Sequence, residues 1–110
     1  MSAEAGLRDE IVSTAASLFD RGLTHGSTGN ISVMLPEGGW LMTPTGSSLG
    51  KLDPARLSLL DATGRHVGGD APTKEAVLHT MMYARRRATK AVVHLHSTHS
   101  VAVSCLHGLD

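Results

Sequence analysis

The stretch Ala91-Val92-Val93-His94-Leu95-His96 constrains the fold most: it is an apolar run with two histidines set into it. A run of this length and β-branched character reads as a strand buried within a sheet. Such a strand needs cover on its faces, and two amphipathic segments can supply it. From Ala3 to Arg21, Leu7, Ile11, Ala15, Leu18 and Phe19 recur at helical spacing, and Gly22 marks the stop. From Thr73 to Arg87 the helical pattern returns, with Val77, Leu78, Met81 and Met82 expected to face inward and Arg85-Arg86-Arg87 in the last turn, where cations complement the helix dipole. Between these segments lie short β-like runs. Ile31 to Leu35 and Trp40 to Thr43 flank the turn Pro36-Glu37-Gly38-Gly39, and Leu57 to Leu60 and Arg65 to Val67 flank Ala62-Thr63-Gly64. Asp53 before Pro54 predicts a capped helical turn. Ser97 to Leu106 reads as the start of another helix, and Trp40 is expected in the core. The expected class is α/β, a central, mostly antiparallel sheet flanked by helices.

A length of 110 residues allows one modest domain. Ten basic and ten acidic residues cancel, so neither nucleic acid nor a membrane is an expected partner. The opening residues lack the basic-then-apolar order of a secretory signal. One cysteine, Cys105, cannot form an internal disulfide. The expectation is a soluble, cytoplasmic protein. Function is to be sought among its seven histidines.

Strand alternation puts His94 and His96 on one face, about 6.6 Å apart, with Val92 beneath them. At that spacing two imidazoles can converge on a divalent metal at about 2.0–2.1 Å, but hydrogen-bonded strand histidines fit the pattern too. Glu75 opens its helix, either as a carboxylate that complements the dipole or as an acid/base group beside the histidines. His79, one turn on, either orients Glu75 or is a buried residue with a satisfied nitrogen. Two loops, Gly26 to Asn30 and Thr43 to Ser48, are rich in hydroxyls and glycine. They are either plain turns or an anion-binding nest for a phosphate, and Asn30 could equally hold its own turn together.

Taken in order, four stretches resemble the class II aldolase/adducin family: Gly26-Ser27-Thr28-Gly29-Asn30-Ile31-Ser32, Thr43-Pro44-Thr45-Gly46, Pro72-Thr73-Lys74-Glu75 and Ala91-Val92-Val93-His94-Leu95-His96. Within the family the chain looks most like the branch that decarboxylates 3-oxo-tetronate 4-phosphate. The resemblance implies a zinc site (or another divalent metal) with His94 and His96 as ligands, and Glu75 as the acid/base. It implies phosphate contacts from Ser27, Gly29, Asn30, Thr45 and Gly46, with Thr73 and Lys74 completing the pocket. Aldolases of the family generally carry Ser-Ser-Glu where this chain has Thr73-Lys74-Glu75, so Lys74 is expected to add a positive charge for the substrate's carboxylate or phosphate. The related epimerases usually carry Asp at the Glu75 position, which counts against that activity.

The implied chemistry is loss of CO2 from a phosphorylated sugar acid, with a Lewis-acidic metal stabilising the enediolate. Glu75 then protonates carbon to give dihydroxyacetone phosphate. A fuculose-phosphate-type aldolase reaches the same enediolate by cleaving a bond to an aldehyde. A non-catalytic, adducin-like assembly module is the alternative from another class, and the retained Glu75, His94 and His96 argue against it. Family members are longer, with a third zinc-binding histidine and a tyrosine from a neighbouring subunit in their second half. Residues 1–110 are therefore expected to be the N-terminal portion of a single class II aldolase-like domain, incomplete and inactive alone, from a homotetrameric enzyme.

Overall fold

The computed structural model describes residues 3–24, 26–95 and the backbone of 101–104. Helix α1 spans Ala3–Asp20, as the apolar spacing predicts. It ends in paired bonds from Gly22 N to Phe19 O and from Leu23 N to Leu18 O, both 3.0 Å. Gly22 takes a φ of 74° there, the left-handed conformation that closes a helix by this pattern.

Strands β1 (Asn30–Met34) and β2 (Trp40–Met42) form the first predicted hairpin, and β3 (Ser58–Leu60) and β4 (His66–Gly68) form the second. Its turn is held by Asp61, whose Oδ1 accepts from the backbone N–H groups of Thr63 and Arg65 at 2.9 and 3.0 Å. A 3-10 turn at Pro54–Arg56 is capped by Asp53, as expected, and a second at Leu49–Lys51 is capped by Ser48. Helix α2 covers Ala76–Arg85, shorter at both ends than the periodicity suggests. Arg86 and Arg87 thus lie beyond it. Strand β5 (Ala91–His94) follows.

Residues Val101–Ser104 form a strand, β6, paired antiparallel to β5. Helix was expected there. Alternate valines suit a pleated ladder better than a helical turn; the rest of that predicted helix lies outside the described residues.

The six strands make one sheet in the order β4-β3-β2-β1-β5-β6, antiparallel at every pairing. Alternation along β1 gives the sheet two chemically different faces. Ile31 and Val33, with Leu41, Ala91 and Val93, pack with Ile11 and Ala15 of α1 into the apolar core. Leu95 packs against the same cluster. On the other face stand Asn30 opposite His94, and Ser32 opposite Val92 and Met42.

Helix α2 covers that second face with its polar side inward. His79 is 0% exposed and Tyr83 3%, whereas Val77 is 69% exposed and Met81 51%; Leu78 and Met82 are only partly buried. The expectation of an inward apolar stripe is therefore reversed at Val77 and Met81. The sheet offers α2 a hydroxyl, an amide and an imidazole, and those groups must be hydrogen-bonded once buried. Trp40 is half-buried instead of sitting in the core, with its ring 5.8 Å from that of Tyr83. No helix of the described residues is long and apolar enough to cross a membrane.

Candidate active site

Three backbone junctions bring distant loops to one end of the sheet. Thr43 exchanges bonds with Ile31, its N–H reaching Ile31 O at 2.9 Å and its Oγ1 accepting from Ile31 N at 3.2 Å. The segment after β2 is tied to the segment before α2: Thr45 N donates to Ala71 O at 2.9 Å and Thr73 N to Thr43 O at 3.2 Å. Thr45 and Gly46 are thus held beside the Thr73-Lys74-Glu75 stretch. At Gly29, φ is 86° and a Cβ would lie 3.0 Å from Thr24 Oγ1, 3.2 Å from Leu49 Cδ1 and 3.5 Å from the carbonyl of His94. Only glycine accepts both the conformation and the approach, so the first glycine-rich loop lies against the end of β5.

Glu75 stands at the N-cap of α2, where its own side chain makes no capping bond. Thr73 secures the approach, its Oγ1 accepting from Glu75 N at 3.3 Å. The carboxylate turns to the sheet instead. Its Oε1 accepts from Asn30 Nδ2 at 2.6 Å and lies 3.0 Å from His94 Nδ1. Behind Asn30, its Oδ1 meets His79 Nε2. His79 Nδ1 lies 2.6 Å from Ser32 Oγ, which lies 2.8 Å from Tyr83 Oη. Burial lowers the His79 pKa to about 4, a direction reinforced by the charge of His94 and opposed by that of Glu75. Burial likewise raises the Tyr83 hydroxyl well above its usual range, against its hydrogen bonds with Ser32 and the Val92 backbone. At neutral pH the network behind the carboxylate is therefore uncharged.

The residues expected from sequence divide into groups. Glu75, His94 and Asn30 meet directly. Thr45, Gly46 and Thr73 are brought together by backbone bonds, while Ser27 and Lys74 are exposed side chains outside the network. His96 lies outside the described residues. Ser32 and Tyr83 were not singled out in sequence. Their signal was present: Ser32 alternates with Asn30 opposite the histidine strand, and Glu75, His79 and Tyr83 recur every fourth residue along α2. Lys51 and Arg56 were not singled out either. With Thr45, Gly46 and Ser48 they line an open polar pocket of about 280 Å³, where Arg56 pairs with Asp70 at 2.9 Å.

A family model described as Class II Aldolase and Adducin N-terminal domain matches residues 9–110. The chain belongs to the class II aldolase/adducin N-terminal domain family. It is 53% identical over 107 residues to a 3-oxo-tetronate 4-phosphate decarboxylase of Escherichia coli K12, covering 97% of this chain and 50% of that protein. It is 37% identical over 100 residues to the L-fuculose phosphate aldolase of the same organism, covering 91% and 46%. The crystal structure of YgbL from Klebsiella pneumoniae superposes with a TM-score of 0.84 at 47% identity, covering 89% of this chain and 47% of that one. An L-fuculose 1-phosphate aldolase superposes at 0.77 with 27% identity. The chain spans about half the length of the curated relatives it matches.

Among the described residues no three metal-ligating side chains gather in one group. His94 nevertheless suits a ligand of this family's metal. Its side chain is largely buried, and one ring nitrogen faces a carboxylate. A carboxylate on one imidazole nitrogen is the usual support for a histidine that binds a divalent metal through the other.

Proposed function

We propose that the protein carrying this chain is a metal-dependent carbon–carbon lyase that decarboxylates 3-oxo-tetronate 4-phosphate to dihydroxyacetone phosphate and CO2. The observation that carries the reading is the meeting of Glu75, His94 and Asn30 at the mouth of the glycine-rich loops. The identity of 53% with a decarboxylase, against 37% with an aldolase, favours the first reaction. An aldolase reaction is the second reading, supported by the likeness to L-fuculose 1-phosphate aldolase.

His94 would hold the metal together with His96, and Glu75 lies beside His94. When bound, zinc or another divalent cation supplies Lewis acidity toward the substrate's oxygens. Glu75 holds the proton that carbon needs as CO2 departs, a transfer that requires a carboxyl group within hydrogen-bond reach. Gly29 and Gly46 offer backbone N–H groups, and Ser27, Thr45 and Thr73 offer hydroxyls, to the phosphate. Asn30 donates through Nδ2 to Glu75 and adds its amide to the same pocket. Lys74, exposed beside Glu75, supplies positive charge for the carboxylate or phosphate. The protein acts as a homotetramer in the cytoplasm on this reading.

The test is metal stoichiometry and turnover on the natural protein that carries this chain, offered 3-oxo-tetronate 4-phosphate and L-fuculose 1-phosphate in parallel. One zinc per chain, lost in His94→Ala, with CO2 release from the first substrate supports the proposal. Glu75→Gln is expected to keep the metal and lose turnover by about 10²–10⁴-fold. Cleavage of the second substrate alone supports the aldolase. Neither metal nor turnover would leave the adducin-like assembly role.

A further inference from the structure

Glu75 carries three rotatable side-chain bonds at a half-exposed helix start, so something must hold its carboxylate still for it to act on one carbon. Asn30 is in place to do so, because its Nδ2 reaches Glu75 Oε1 at 2.6 Å. An amide can present either end, however. Turned over, Asn30 would set its carbonyl oxygen against the carboxylate, oxygen against oxygen. The group that fixes the choice is His79, whose Nε2 meets Asn30 Oδ1. That oxygen can only accept, so Nε2 must carry the ring proton. A neutral ring then leaves Nδ1 to accept from Ser32 Oγ, which in turn accepts from Tyr83 Oη. Each group along the line has one consistent role.

All four supporting side chains are buried: Ser32 and His79 are 0% exposed, Tyr83 3% and Asn30 4%. Cross-strand register adds a further restraint. Asn30 sits directly opposite His94, and both face the same carboxylate oxygen. Among the described residues, the titratable groups that act on His79 are Glu75 on its own helix and His94 on β5.

We infer that His79 is a positioning residue for Glu75, acting through Asn30: as the Nε2–H tautomer it locks the Asn30 amide with its donor end on the carboxylate. The inference rests on the reading of Glu75 as the proton carrier. It adds a residue that touches neither substrate nor metal, and it assigns the Asn30 side chain first to the carboxylate.

The experiment compares His79→Leu, His79→Gln, Asn30→Ala and Glu75→Gln in the natural protein, with metal content and melting temperature recorded for each. His79→Leu removes the donor and is expected to lower kcat by about 100-fold, with KM within about threefold, the pattern of a misplaced catalytic group. His79→Gln returns an N–H toward Asn30 and is expected to recover about tenfold of that loss. Should His79→Leu not fold, Asn30→Ala carries the same expectation for kcat. Nitrogen chemical shifts of the unsubstituted protein are expected to show His79 protonated at Nε2 and bare at Nδ1. The inference is overturned by the opposite tautomer, by full turnover in His79→Leu or Asn30→Ala, or by equal losses in the Leu and Gln variants. Full turnover in Glu75→Gln, or none in the unsubstituted protein, sinks the underlying reading and the inference with it. An inactive Glu75→Gln beside an active His79→Leu sinks the inference alone.

Discussion

Acid should destabilise this fold through one side chain, and the size of the effect follows from its burial. An unfolded chain exposes His79 at its ordinary pKa of 6.5, whereas the native ring, sealed between α2 and the sheet, titrates at about 4. Above pH 6.5 neither state binds a proton here, and the group contributes nothing. Below it the unfolded chain takes the proton and the native one does not, so stability falls as pH falls until the native pKa is reached. The gap of about 2.5 pH units, at 1.36 kcal/mol each, corresponds to about 3 kcal/mol. A domain of this size has only about 5–15 kcal/mol in total. Urea unfolding, followed by the emission of the single tryptophan, Trp40, beside Tyr83, measures it between pH 7 and pH 4. Chelator removes any contribution from metal release. His79→Gln is the reference, since it keeps a donor and cannot titrate. Its stability curve should be flatter than that of the unsubstituted chain by about 3 kcal/mol across the interval. Parallel curves for the two proteins would refute the assignment of His79 as a buried neutral imidazole.

Three further outcomes follow from the packing. At Gly69, φ is 68° and a Cβ would lie 1.9 Å from the carbonyl oxygen of Leu57, so Gly69→Ala is expected to cost more than about 2 kcal/mol in urea unfolding. Ile11 is 0% exposed in the core while Met81 is 51% exposed; Ile11→Ala should cost about 2–5 kcal/mol, and Met81→Gln should change stability by no more than about 0.5 kcal/mol in the same assay.

Much of the backbone was legible because short-range chemistry decides it. Gly22 ends α1, Asp53 before Pro54 caps a turn, and Gly38-Gly39 and the Asp61 turn close the hairpins. Each is a local need met by a local residue. The inward face of α2 was misread because periodicity reveals that a stripe exists and not what lies opposite it. Val77 and Met81 form an apolar ridge, yet the sheet across from the helix carries Asn30, Ser32 and His94. The site divides in the same way. Glu75 and His94 announce themselves by residue type and setting, while the bond from Asn30 to Glu75 spans 45 positions that no motif connects. His96 was equally readable and lies outside the described residues.

Register links the two faces of the sheet. Along β1 the network residues Asn30 and Ser32 alternate with the core residues Ile31 and Val33, so a slip of one residue would exchange them. Asn30 and Ser32 would then face Ile11 and Ala15 of α1, where an unsatisfied polar group costs about 1–3 kcal/mol. Ile31 and Val33 would face His79, Tyr83 and Glu75 and leave those without partners as well. Both exchanges are unfavourable, so the apolar face enforces the register in which the polar face is assembled. The paired bonds between Ile31 and Thr43 pin it locally, as does the approach of Gly29 to the carbonyl of His94. The core under α1 therefore does more than hold the chain together: it fixes, to within one residue, which side chains meet at Glu75.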